Sequence, residues 1–185
     1  MPALSLLITA ALTCAPAQHP IVAEVYYDAP GVDTGHEFVE LWNTGDAPAS
    51  LAGLRIEAGD GAAPGRWTLH WTGGPADSLG PHARFVVGGA PCVPAPDRVR
   101  TLGLQNGPDA LRLVWPDGAS EVVGWGAHVC PEYYCGAPAL DVAGGQSLAP
   151  MPYSVDHIGL RPPNSSTSSR IRSSRGPRVS SGSGP

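Results

Sequence analysis

The chain has 185 residues, 42% of them hydrophobic, which suffices for one domain with a single substantial core. Glycine (24) and proline (21) are over-represented, which suits short strands between turns better than wholesale disorder, and no apolar run is long enough for a membrane-spanning helix. The net charge of −5 hides an asymmetry: residues 1–150 hold 15 Asp/Glu against 6 Arg, and residues 151–185 hold 5 Arg against Asp156 alone, so the acidic body argues against binding a phosphate backbone.

Residues 1–17 read as an export signal. ALSLLITAAL is an apolar core of suitable length, and Ala15-Pro16-Ala17 is a small-residue cleavage site that leaves Gln18 first. No Arg or Lys precedes the apolar run. Cys14 offers a rival reading, a lipid anchor, although Thr13 and Ala11 fit that pattern poorly. Plain export to the periplasm, cell surface or medium is the expectation.

Residues 21–43, IVAEVYYDAPGVDTGHEFVELWN, hold two period-2 runs rich in β-branched and aromatic residues, joined by an acidic Pro/Gly loop. LAGLRIEAGD, GRWTLHW and PHARFVVGG follow, each of strand character between Gly, Pro and Asp breaks. ALRLVW-PDG-ASEVVGWG is the clearest local signal. Pro116 presets φ for a turn and Gly118 takes the left-handed position, so a tight hairpin is predicted, with Leu111, Leu113 and Trp115 facing inward. These segments predict a β-sandwich of about seven to nine short antiparallel strands spanning residues 18–150. Trp42, Trp67, Phe85, Leu113, Trp115, Val122 and Trp125 are expected between its sheets, since each has an apolar partner two residues away.

From Met151 the composition turns to Arg, Ser and Pro without periodicity. Such a segment recovers little ordering entropy by burial, so residues 151–185 are expected to be a disordered, solvated tail.

Taken together, EVYYDAPGVDTGHEFVELWN, FVVGG (85–89), LGLQNGPDALRL (102–113), VVGWG (122–126) and YYCGAPALDVAGGQSL (133–148) resemble, in that order, a bacterial lamin tail domain. The resemblance covers about residues 21–148. It implies a small immunoglobulin-like sandwich that is non-catalytic and serves as an interaction or scaffold module, often exported. In chains of this type GQSL continues with further acidic and Pro/Gly motifs. Here APMPYSVD still echoes that pattern and the residues after Asp156 do not, which reads as a reading-frame slip near Asp156 or as a divergent basic tail.

Several constellations invite chemistry. Asp28, Asp33, Glu37 and Glu40 concentrate oxygen ligands of the kind calcium takes, but without the alternating D-x-D-x-D-G order of a calcium loop. The competing expectation is that Asp28 and Asp33 cap turns through local side-chain bonds, with Glu40 a hydrogen-bonded carboxylate inside a strand. His36-Glu37 has no second histidine at position 40 and sits in a strand pattern, which rules out the zincin motif. His19, His70, His82, His128 and His157 show no paired spacing. Gly145-Gln146-Ser147-Leu148 lacks the nucleophile elbow, so Ser147 reads as a strand or turn residue. GGPADSLG and GDGAAPG lack the lysine and following helix of a phosphate cradle. Without the signal, Cys92, Cys130 and Cys135 remain. Cys130 and Cys135 are expected to form a structural disulfide, worth roughly 2 kcal/mol by loop entropy, with Cys92 left over. Pairing through Cys92 is the alternative.

The reading is therefore an exported, non-enzymatic interaction module without cofactor, metal or catalytic residues, whose partner is a protein or cell-envelope component and not nucleic acid. The alternatives are a calcium-binding accessory domain of a hydrolase or nuclease system, and a lipid-anchored envelope structural protein.

Overall fold

The alternating runs of the sequence become strands because each has one apolar face to bury and turn residues at both ends. The computed structural model describes residues 20–61, 63–127, 131–134, 138–149 and 170–173. The strands, in chain order, are β1 (Ile21–Tyr26), β2 (Phe38–Trp42), β3 (Ala49–Ser50), β4 (Arg55–Asp60), β5 (Trp67–Thr72), β6 (Ser78–Leu79), β7 (Arg84–Gly88), β8 (Arg98–Val99), β9 (Asp109–Val114), β10 (Ser120–Trp125), β11 (Gln146–Ala149) and β12 (Arg170–Ser173). The one helical element among the described residues is a 3-10 turn, η1 (Pro131–Tyr133). The chain is an all-β sandwich. One sheet runs β12-β11-β1-β2-β7-β8, the other β10-β9-β4-β5, and β3-β6 is a two-stranded ribbon.

Val25, Leu41, Ile56, Leu111, Leu113 and Trp125 anchor the core between the sheets. The β1–β2 register shifts between Val22 and Glu24, and this bulge lets Val22 and Val25 both belong to the core although strict alternation would separate them. A second shift between Ile56 and Glu57 places an extra residue, His70, in β5, so Trp71 packs inward while Leu69 is exposed. The β9–β10 hairpin forms as its sequence predicts: Gly118 has φ 89°, and its N–H donates to Trp115 O at 2.9 Å.

Four of the expected core residues, Phe85, Leu113, Val122 and Trp125, are buried, and Trp42, Trp67 and Trp115 are half-buried. Three of these are corrections of face. Trp42 and Trp67 lie on the outer faces of their sheets, with the guanidinium groups of Arg84 and Arg112 over their rings at 5.3 and 4.2 Å. Val122 is also on an outer face, and Val123 takes the inward place beside Trp125. Each outward tryptophan covers its flat surface with an arginine, a solution that the apolar pattern alone does not reveal.

Two further departures concern strand order and the tail. β8 pairs with β7 in parallel, so the strands are not all antiparallel. Arg170–Ser173, expected within the disordered tail, forms β12 along β11. The rest of the tail, the export signal with Cys14, and Cys130 and Cys135 lie outside the described residues.

One end of the second sheet carries a seat for an aromatic ring. Gly59, Ala110 and Gly124 stand side by side on β4, β9 and β10, and η1 packs against β9 and β10 there. A Cβ on Gly59 would lie 3.1 Å from the Trp67 ring and 3.2 Å from the Tyr133 ring. Tyr133 is fully buried, meets Trp67 edge-on at 5.1 Å, and donates its hydroxyl toward Asp60 O at 2.9 Å.

Candidate functional site

Two of the acidic residues singled out in the opening motif, Asp28 and Glu37, reach the segment 102–108 that leads into β9. This segment has no ladder of its own, so its main-chain N–H groups need other acceptors. Carboxylates supply them, Glu37 from far away in sequence and Asp109 from four residues on. Glu37, 2% exposed at the entry to β2, accepts from Gly103 N at 2.6 Å and also from Leu104 N. Asp109, at the start of β9, accepts from Gln105 N at 3.1 Å. Asp28 Oδ1 takes a bond from Asn106 Nδ2 at 3.2 Å, and the Asp28 carbonyl accepts from Gly145 N at 2.7 Å. A Cβ on Gly107 would meet the Asp141 carboxylate at 3.1 Å, so that backbone needs to remain bare as well as left-handed (φ 97°).

Asp141 joins this end to the core. Tyr27, fully buried and stacked on Trp125 at 4.7 Å, donates its hydroxyl to Asp141 Oδ1 at 2.6 Å and accepts from Val142 N at 2.9 Å. Burial first, and the bond to Asp141 second, raise the Tyr27 pKa above the ordinary phenol value, so the hydroxyl remains a donor.

The expected local caps are corrected in part. Asp33 closes its turn through its main-chain carbonyl, which accepts from His36 N at 2.7 Å, and the Asp28 side chain reaches across the fold rather than along it. Glu40 is the strand carboxylate that was expected, ion-paired with Arg84 on β7. Ser147 lies in β11, 1% exposed, with no hydrogen-bond partner for Oγ among the described residues. Cys92 is a free, buried thiol whose Sγ lies 3.2 Å from the Glu37 carbonyl, and burial chiefly raises its pKa. The expected Cys130–Cys135 pairing falls outside the described residues. Among the described residues, no three His, Cys, Asp or Glu side chains group to hold a metal ion.

Among the carboxyl groups that sequence reasoning did not single out are Asp109, which is buried, and Glu121, which is half-buried. Asp109 stands directly across from Asp60 on β4 and Trp125 on β10. Its Oδ1 and Trp125 Nε1 are both buried without a partner among the described residues, and burial raises its pKa to about 6. Glu121 on β10 bridges toward the other sheet, where Val22 N lies 3.4 Å from Oε2, and burial raises its pKa to about 7. The signal for Asp109 is its position immediately before an alternating strand whose inward register it shares. For Glu121 it is the same parity as Val123 and Trp125. Chemically, this end of the molecule holds backbone. Among the described residues it presents no nucleophile beside an oriented base.

No protein-family model matches the sequence, and a search of curated proteins finds no match.

Proposed function

We propose that this protein is an exported, non-catalytic interaction module of the lamin-tail type. In this reading an immunoglobulin-like sandwich presents its surface to a protein or another component of the cell envelope. One observation carries it: three of the four carboxylates of the opening motif, those of Asp28, Glu37 and Glu40, are engaged in holding the chain itself. Glu37, Asp28 and Asp109 fix the 102–106 backbone and the Asn106 side chain, and Glu40 pairs with Arg84. Groups used in this way stiffen a binding scaffold and leave little capacity for a cation or for acid–base work. The motif order from EVYY to GQSL supports the same assignment.

The test pairs binding with activity. The mature full-length protein, immobilised, should retain a saturable partner from envelope extracts. It should show no hydrolase or nuclease turnover with calcium, magnesium or zinc, and calcium should leave its melting temperature unchanged, since a specific ion stabilises the state that binds it. Turnover that disappears in Asp33→Ala while the fold persists would overturn the proposal in favour of a metal-dependent accessory enzyme.

A further inference from the structure

The second sheet carries an open strand edge. Its order is β10-β9-β4-β5, so β4 pairs with one side of β5 and, among the described residues, no strand pairs with the other. Natural edges are blunted by charge, proline or brevity. β8, at the edge of the first sheet, is two residues long and begins with Arg98. β10, at the far side of the second, carries Glu121 and is bridged at Trp125 by Ala139. β5 has six residues, WTLHWT, and holds no Asp, Glu, Arg, Lys or Pro. Thr68, Leu69 and Thr72 on it are exposed, Leu69 by 55%.

The bulge at His70 decides which part of this edge is regular. Trp67 and Leu69 face outward, in the rows Gly124, Ala110, Gly59, Trp67 and Val122, Arg112, Glu57, Leu69. Between them Thr68 ends the inward row Val123, Leu111, Ala58, whose three residues belong to the core. Past His70 the phase reverses, and Trp71 points inward. The regular stretch, Trp67 to Leu69, is complementary to itself. Antiparallel pairing of two copies about Thr68 sets Trp67 of each opposite Leu69 of the other, and Thr68 opposite Thr68. Outward side chains then meet outward ones, and an apolar pair flanks a Thr–Thr pair on each side, a set that stabilises a ladder. A slip of one residue would set outward side chains against inward ones.

Charge points to the same occupant. Residues 1–150 hold 15 Asp/Glu against 6 Arg, so two copies repel over most of their surface and least at a strand without charge. We infer that β5 is a self-association edge, where two copies of this chain pair antiparallel about a two-fold axis at Thr68 and join their four-stranded sheets into one of eight strands. The contact is one strand wide, which places it with small, weak interfaces rather than obligate ones. It goes beyond the interaction-module reading, needs no envelope partner and does not use the first sheet. Salt that screens the acidic bodies should strengthen it.

The test uses the full chain. Sedimentation over a range of concentrations should show the mean mass rising from that of one chain toward that of two, more steeply at higher salt. Amide exchange in residues 67–69 should slow over the same range. Leu69→Lys should weaken the dimer about tenfold or more, because a lysine on an edge opposes pairing. Nonspecific association would respond in the opposite sense, since the lysine lowers the net charge of an acidic chain. Retained amide protection in β9 reports an intact fold in the variant. On mild oxidation Thr68→Cys should give more linked dimer than the unaltered chain and Thr72→Cys should not, because only position 68 faces itself across the axis. A chain that stays monomeric throughout, a dimer that Leu69→Lys leaves as strong, or equal linking of the two cysteine variants would overturn the proposal. Envelope capture is measured separately. Its persistence alongside such a failure would leave the interaction-module reading standing, and its loss while the dimer persists would leave this edge standing.

Discussion

Glu37 Oε2 accepts the main-chain N–H of Gly103 at 2.6 Å, tying the start of β2 to a segment with a sequence separation of 66. The carboxylate is almost fully buried, and burial chiefly raises its pKa, with the Gly103 and Leu104 N–H groups opposing. Truncation in Glu37→Ala leaves both N–H groups without their acceptor and should cost about 1–3 kcal/mol per unsatisfied group. Glu37→Gln keeps one acceptor and should lose less. Denaturant melts of the two variants check the order, and an alanine variant as stable as the parent would show that the carboxylate does not hold the segment.

Tyr27→Phe isolates a hydroxyl from its ring. The stack on Trp125 at 4.7 Å survives, while Asp141 loses its donor and Val142 N its acceptor. A loss of about 1–3 kcal/mol is expected. Thermal melting should fall with the near-UV aromatic signal preserved, and a simultaneous collapse of that signal would mean the hydroxyl also fixes the ring.

Stability should depend on pH through Glu121 and Asp109. Burial raises both in the folded state, to about 7 and about 6, above ordinary values of 4.5 and 3.8. The folded form holds these protons more tightly than the unfolded one. The stabilising contribution is therefore complete below the ordinary values and is lost as pH rises through about 6 for Asp109 and about 7 for Glu121. Glu121→Gln should remove the Glu121 share of the pH dependence of unfolding between about 4.5 and 7, leaving that of Asp109 below about 6, and should gain stability relative to the parent at pH 8. Urea melts from pH 4 to 8 decide it, and an unchanged slope in the variant would assign the dependence elsewhere.

Gly59→Ala should destabilise although glycine is a poor strand residue. The added methyl meets the Trp67 and Tyr133 rings at 3.1 and 3.2 Å, and overpacking of this kind costs about 1–3 kcal/mol. A neutral or stabilised Gly59→Ala would show that the rings yield freely.

Most of the strands are legible in the sequence because period-2 runs and the Pro116-Asp117-Gly118 turn are local signals. Without the two-residue β3, β6 and β8 and the tail strand β12, the eight remaining strands fall within the seven to nine expected. What escapes is non-local. The bulge between Val22 and Glu24 resets the inward phase of β1, which no single-strand pattern reports. Trp42 and Trp67 look like core residues until Arg84 and Arg112 are known to lie over them. The acidic motif suggests ligands because the donors it serves, the N–H groups of Gly103 and Leu104 and the Asn106 side-chain amide, are far away in sequence. The tail strand is four residues of ordinary polar composition apart from Ile171, recognisable only once β11 supplies its register.

The ring seat makes substitutions at Gly59 on β4, Trp67 on β5 and Tyr133 on η1 interdependent. Any side chain that grows on Gly59 pushes against Tyr133, whose hydroxyl serves the carbonyls of Asp60 and Ala63. A larger residue there is eased by a smaller one at position 133, which in turn removes the hydroxyl that donates to those two carbonyls. Neither change should be neutral alone, and their costs should not add. Drift in this corner of the molecule therefore favours paired replacements, and the order in which they arise sets how much stability the intermediate chain gives up.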